Sequence, residues 1–130
     1  MSHNDPTDSY AWLRHAKSNL RLAEKGAKLK GVLLEDLCFN AQQAAEKAFK
    51  AVCIKHDLEF PKTHSIVRLI DILETGGVRV PKNIKEADIL TQYAVESRCP
   101  GISEELTKEE YRDALELGAR VLFWAESIIG

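Results

Sequence analysis

Apolar residues recur along this chain at intervals of three and four, which places them on one face of an α-helix. The pattern predicts a first helix that starts between residues 6 and 9 and runs to about Lys28, and a second helix over about 33–56 after a break at Gly31. A short third helix is expected between a cap at Thr63 and a stop at Gly76. No segment keeps the period of two that is typical of a β-strand.

Two capping boxes predict the remaining helices. Asn83-Ile-Lys-Glu86 would start a fourth helix that runs through about Ser97, and Thr107-Lys-Glu-Glu110 would start a last helix that runs to about Ile129. The expected fold class is all-α, an antiparallel up-and-down bundle of four long helices plus one short helix. We expect residues 1–130 to form a single domain.

The second helix carries a ridge of alanines on the face that is expected to point inward. Small side chains let a neighbouring helix approach closely, so this helix is expected at the centre of the bundle. The ridge consists of Ala41, Ala44, Ala45 and Ala48.

Composition and charge exclude several classes of protein. The 130 residues are 45% hydrophobic and 29% charged with a formal net charge of −2, which excludes a disordered chain and gives no bulk attraction to nucleic acid or anionic membranes. No apolar run approaches the roughly 18 residues of a membrane span, and the polar N-terminus has no signal-peptide pattern. Cys38, Cys53 and Cys99 are odd in number and lack CxxC spacing, which favours the reducing cytoplasm.

Most catalytic and metal-binding templates are absent from the sequence. It contains no Gly-rich dinucleotide loop, Walker loop, G-x-S-x-G or H-E-x-x-H motif. His3, His15, His56 and His64 are not paired at three- or four-residue spacing, and no cysteine pair has zinc-ligand spacing. We therefore expect no metal and no cofactor.

A basic stripe lies on the first helix, opposite its apolar face, within an arc of about 80°. Between residues 14 and 30 the chain has six Lys or Arg and one acid, whereas residues 103–116 have six acids and two bases. The stripe is either a solvated face or a docking surface for RNA phosphates or an acidic partner. It consists of Arg14, Lys17, Arg21, Lys25 and Lys28.

The second helix also has a polar face, formed by Gln42, Gln43, Glu46, Lys47 and Lys50. One interpretation is a Glu46–Lys50 pair at i, i+4 spacing together with two solvated amides. The other is a groove that binds a base and phosphates. Spacing alone favours the first interpretation, because such sequences are common on helix surfaces.

Two further positions could carry chemistry. His64 is expected near a helix N-terminus, where the helix dipole favours a neutral imidazole that could act as a base, bind a ligand or simply pack against a neighbouring helix. Arg98, which follows Tyr93 and precedes Pro100, could hold a phosphate or bond the last carbonyls of the fourth helix.

Three segments together resemble the HEPN domain (higher eukaryotes and prokaryotes nucleotide-binding). They are Phe39-Asn-Ala-Gln-Gln-Ala-Ala-Glu-Lys-Ala-Phe-Lys-Ala51, Pro61-Lys-Thr-His64 and Tyr93-Ala-Val-Glu-Ser-Arg98-Cys-Pro100. The resemblance implies a helical bundle that dimerises and is often paired genetically with a minimal nucleotidyltransferase as a toxin–antitoxin couple. Many family members are metal-independent ribonucleases whose active site is an Arg followed, after four to six residues, by a His.

This sequence departs from that ribonuclease motif. Arg98 aligns with the motif arginine, but positions 103–105 are Ser, Glu and Glu where the His should fall. The resemblance therefore implies a nucleotide- or RNA-associated binding module that works as a homodimer with a nucleotidyltransferase-type partner. A ribonuclease that uses Arg98 and His64, and a purely structural interaction domain, are the alternatives. The candidate ligand residues are Gln43, Lys47, Lys50, His64, Tyr93 and Arg98.

Overall fold

The computed structural model describes residues 5–94 and 106–130, and every regular element in these two ranges is helical. The three long helices are α1 (Ser9–Gly26), α2 (Leu34–Lys55) and α5 (Lys108–Ile129). The shorter elements are α3 (Ile66–Thr75), α4 (Lys82–Lys85) and a 3-10 helix (Glu86–Tyr93). The all-α fold is confirmed, and α1 and α2 begin and end within three residues of the predicted bounds.

Contacts between α1 and α5 fix their relative direction. The Tyr111 hydroxyl, near the start of α5, donates to the Ala23 carbonyl near the end of α1 at 2.6 Å. Lys17 in the first half of α1 pairs at 3.0 Å with Glu126 near the end of α5. The two helices therefore run antiparallel.

Helix α2 lies at the centre of the bundle, as its alanine ridge predicts. Ala41, Ala44, Ala45 and Ala48 are fully buried. Helix α5 approaches so closely that a Cβ atom on Gly118 would stand 3.0 Å from the Ala41 carbonyl oxygen. Further along both helices, the rings of Phe49 and Trp124 are 5.6 Å apart, so α2 and α5 run parallel.

The fourth helical segment differs from the predicted long α-helix. The capping box at Asn83 and Glu86 is wrong, because α4 begins after Pro81 without a side-chain cap and the Asn83 carbonyl and Glu86 carboxylate both accept from Arg120. After one turn the backbone tightens into the 3-10 helix. From α4 through the 3-10 helix, the buried residues recur every third position, which matches the three residues per turn of a 3-10 helix. They are Ile84, Ala87, Leu90 and Tyr93. The predicted end at Ser97 lies outside the described residues.

The two other predicted caps have different outcomes. The capping box at Thr107 and Glu110 is confirmed, with hydrogen bonds in both directions. Thr63 does not cap α3, because Ser65 takes that position and accepts from the Arg68 N–H at 3.3 Å. Within the described ranges, no helix is long and apolar enough to cross a membrane.

Candidate functional site

The polar face of α2 is buried. The exposed fractions are 0% for Gln42, 9% for Gln43, 3% for Glu46 and 8% for Lys50. The predicted Glu46–Lys50 pair is present, with 2.9 Å between the ammonium and a carboxylate oxygen. The interpretation of the two glutamines as solvated amides is wrong, because the segment before α3 and the start of α1 cover this face. Burial turns an ordinary surface pair into an internal polar network.

His64 joins this network from the segment that precedes α3. Its Nδ1 atom lies 2.9 Å from Glu46 Oε1, and its backbone carbonyl accepts from Gln42 Nε2 at 3.3 Å. Gln42 Nε2 also donates to Glu46 Oε1 at 3.0 Å, and Gln43 Nε2 donates to Gln42 Oε1 at 2.7 Å. The His64 side chain is 67% exposed, so the network reaches the surface at this imidazole.

The environment of Glu46 keeps this carboxylate ionised. Burial raises its pKa, but hydrogen bonds from Lys50, Gln42 and His64 together with the Lys50 charge outweigh burial and bring the pKa below its ordinary value. An ionised carboxylate only accepts hydrogen bonds, so the bond from His64 requires a proton on Nδ1. In neutral His64 this leaves Nε2 as the nitrogen that accepts a proton or a hydrogen bond.

Two aromatic rings complete the environment of the Lys50 ammonium. Its Nζ atom lies 5.6 Å from the centre of the Trp12 indole and 5.5 Å from the centre of the Phe60 ring. The two rings meet edge to face at 5.9 Å. Cation–π attraction and the Glu46 carboxylate together compensate Lys50 for the loss of water.

A surface cleft of about 310 Å³ opens beside Trp12. Its walls are Asp5, Pro6, Ala11, Trp12, His15 and Lys47. The Lys47 ammonium donates to the neutral Asn19 amide oxygen at 2.8 Å. Burial lowers the pKa of Lys47, and the Lys50 charge lowers it further, against an opposing contribution from Glu46. The cleft therefore combines an indole ring with a cationic group whose hydrogen-bond partner is uncharged, and its one carboxylate, on Asp5, accepts hydrogen bonds from the Thr7 N–H and hydroxyl.

The remaining predicted site residues lie elsewhere. Tyr93 lines a second cleft, of about 530 Å³, between the 3-10 helix and α5, and none of Gln43, Lys47, Lys50 and His64 lines it. Arg98 lies outside the described residues, so its predicted pairing with His64 stays a prediction. All five residues of the basic stripe are exposed.

The residues that close the network from other elements do not follow from the sequence. Neither Trp12 nor Phe60 is among the candidate site residues predicted above. No local pattern identifies either as a partner of Lys50, because the contacts span long stretches of sequence. The sequence does contain one indication that this polar face is buried. Gln42 and Glu46 are interspersed with the alanines of the ridge, and those alanines are buried.

Comparison with known proteins identifies the family. The family model of the HEPN domain matches residues 9–128. The crystal structure of an archaeal HEPN homologue superposes with a TM-score of 0.73 at 24% sequence identity, covering 95% of this chain and 98% of the homologue. None of the curated proteins compared with the chain matches it. The chain belongs to the HEPN family, and so to a class of nucleotide- and RNA-associated modules.

Among residues 5–94 and 106–130, no group of three or more His, Cys, Asp or Glu side chains could hold a metal ion.

Proposed function

We propose that this HEPN domain is a nucleotide- or RNA-binding module that works in the cytoplasm as a homodimer with a nucleotidyltransferase-type protein in a toxin–antitoxin-type system. The observation that carries the ligand-binding part is the cleft between Trp12 and Lys47. An indole offers a base an apolar edge or face, and a lysine with a neutral partner offers a phosphate its charge.

The predicted ligand residues divide into three groups under this proposal. Lys47 contacts the ligand, and His64 lies at the exposed end of the network. Gln43 and Lys50 have their donors engaged inside the protein, so they hold the site in shape. Tyr93 stays a candidate for a separate contact in the cleft beside α5, and Arg98 stays a candidate outside the described residues.

Titration calorimetry with nucleoside monophosphates, triphosphates and short oligoribonucleotides tests the ligand-binding part. Lys47→Gln keeps a donor for Asn19 but removes the charge, so we expect binding to weaken about tenfold, or ~1.4 kcal/mol. Lys55→Gln, an exposed lysine in the last turn of the same helix, is the matched control. Equal loss in both variants, or no loss in Lys47→Gln, contradicts the assignment of the cleft.

The homodimer rests on the family resemblance and on one exposed aromatic residue. The Phe123 side chain on α5 is 77% exposed, which is unusual for a large apolar side chain. Sedimentation of the wild-type protein and of Phe123→Asp tests this part. A monomeric wild-type protein at micromolar concentration contradicts it.

A ribonuclease is the second candidate, and one observation favours it. The Glu46–His64 pair fixes the imidazole with Nε2 as its proton acceptor, which is the arrangement a general base needs. Single-turnover cleavage of a mixed RNA pool by wild type, His64→Ala and Arg98→Ala decides between the candidates. Cleavage that either substitution abolishes favours the ribonuclease, whereas equal background in all three favours the binding module.

A further inference from the structure

The corner between α1 and α2 carries a cluster of apolar side chains that the fold leaves uncovered. Leu22 is 57% exposed, Leu29 63% and Val32 38%. These three line one groove of about 470 Å³. Neighbouring aliphatic side chains left in water at one place mark a protein interaction site more often than scattered ones do.

A glycine shapes the floor of this groove. Gly26, the last residue of α1, is buried, and a Cβ atom there would collide with the Leu37 side chain on α2. The glycine therefore lets the two helices come close at the floor, while Leu22 and Leu29 stand at the sides.

The exposed charges that line the groove are basic, and the one acid that lines it, Asp36, is half-buried. Arg21 and Lys25 of the stripe line the groove, and neither forms an ion pair with any residue that the structure describes. Lys17, one turn before Arg21, is by contrast paired with Glu126. An occupant must therefore bring apolar side chains for the groove and negative charge for Arg21 and Lys25.

Two kinds of occupant fit this chemistry poorly. Single-stranded nucleic acid binds through aromatic side chains on which bases stack, and no aromatic residue lines the groove. A second copy of the chain offers the acidic first turns of α5, but the large apolar side chains there are not exposed.

We propose that the α1–α2 corner groove binds an acidic amphipathic helix of a partner protein. The partner's apolar residues at i, i+3, i+4 and i+7 occupy the groove, and its carboxylates pair with Arg21 and Lys25. The proposal rests on the partner half of the proposed function and is independent of the ligand cleft, because the groove and the cleft share no lining residue.

Fluorescence anisotropy with a labelled helical peptide tests the groove. The peptide has leucines at i, i+3, i+4 and i+7, glutamates at the positions that flank this apolar stripe and alanines elsewhere to keep it helical, and a second peptide replaces every glutamate by lysine. The variants are Leu29→Asp and Lys25→Glu, and Val67→Asp is the control because Val67 is an apolar side chain on α3 that is 49% exposed. Circular dichroism checks that each variant is folded.

We expect the glutamate peptide to bind wild type and Val67→Asp with equal affinity. Its affinity for Leu29→Asp and for Lys25→Glu should be at least tenfold lower, and its affinity for wild type should fall as the salt concentration rises. The lysine peptide should bind at least tenfold more weakly than the glutamate peptide. Absence of binding to wild type, equal binding to Leu29→Asp, or equal binding of the two peptides overturns the proposal. So does oligouridylate binding that Leu29→Asp abolishes, because the groove would then be an RNA site. Nucleotide binding is measured in parallel on wild type and Leu29→Asp. If both bind nucleotide equally but the peptide results fail, the groove proposal is wrong while the proposed ligand cleft stands.

Discussion

The buried carboxylate of Glu46 offers the sharpest test of the network. Glu46→Gln keeps the shape of the side chain but removes the charge that partners the Lys50 ammonium at 2.9 Å. The two side chains are only 4% and 10% exposed, so water cannot replace the lost partner. Leaving one charge of a buried pair without its partner costs about 3–5 kcal/mol, and we expect about 3 because the cation–π contacts remain.

The assay is thermal and urea unfolding at a fixed protein concentration. An unfolding entropy of about 2.1 cal/mol/K per residue over 130 residues gives ~0.27 kcal/mol/K, so a loss of about 3 kcal/mol lowers Tm by ~11 °C. Glu116→Gln is the control, because it removes an i, i+4 partner of Arg120 from a side chain that is 68% exposed. That exposed pair should contribute less than about 0.5 kcal/mol.

The effect should depend on pH in a stated direction. The folded pKa of Glu46 lies below its ordinary 4.5, so the carboxylate stabilises the fold above about pH 4.5 and loses that contribution as pH falls through the lowered folded pKa. The stability difference between wild type and Glu46→Gln should therefore be constant near neutral pH and shrink below pH 4.5. A loss no larger than that of Glu116→Gln, or a difference that grows on acidification, refutes the reasoning.

Three further predictions concern the close contact between α2 and α5, the cap of α5 and a buried thiol on α2. Gly118→Ala should destabilise by about 1 kcal/mol in urea unfolding, because the clash with the Ala41 carbonyl exceeds the gain in helix propensity; a stabilised variant would contradict the close approach. Thr107→Ala should cost about 1 kcal/mol through loss of the α5 capping box, and an unchanged urea midpoint would disprove its role. Burial raises the pKa of Cys53 to about 12, so iodoacetamide at pH 8 should modify it, as read by peptide mass spectrometry, only across the urea unfolding transition; modification of the folded protein would contradict this burial.

Helical periodicity was sufficient to predict much of the fold. The alanine ridge identified α2 as central because only small side chains allow neighbours to approach on that face. The fourth segment was predicted as an α-helix, but its buried residues from Ile84 to Tyr93 repeat at three, and this period matches the 3-10 geometry. A count of the exact apolar period could have indicated the difference.

The candidate site was only partly predictable. Gln42, Glu46 and Lys50 were visible as an i, i+4, i+8 series, but their burial depends on which segments cover them. The cover comes from Trp12 and from the segment 60–64, and contacts between such distant parts of the chain leave no local pattern in a single sequence. The same limit explains why the sequence predicts Lys47 as a ligand residue but not Trp12 and His15, which line the cleft with it.

The central claim is that this HEPN domain binds a nucleotide or RNA in the cleft between Trp12 and Lys47. The most direct measurement is a ¹H–¹⁵N NMR titration of the labelled protein with adenosine nucleotides and a short oligoribonucleotide. We expect saturable shifts of the Trp12 indole N–H and of the amides of His15 and Lys47, and about tenfold more ligand should be needed to reach half-saturation in Lys47→Gln. Shifts that cluster on the face opposite this cleft, or none at all with any ligand, would contradict the claim.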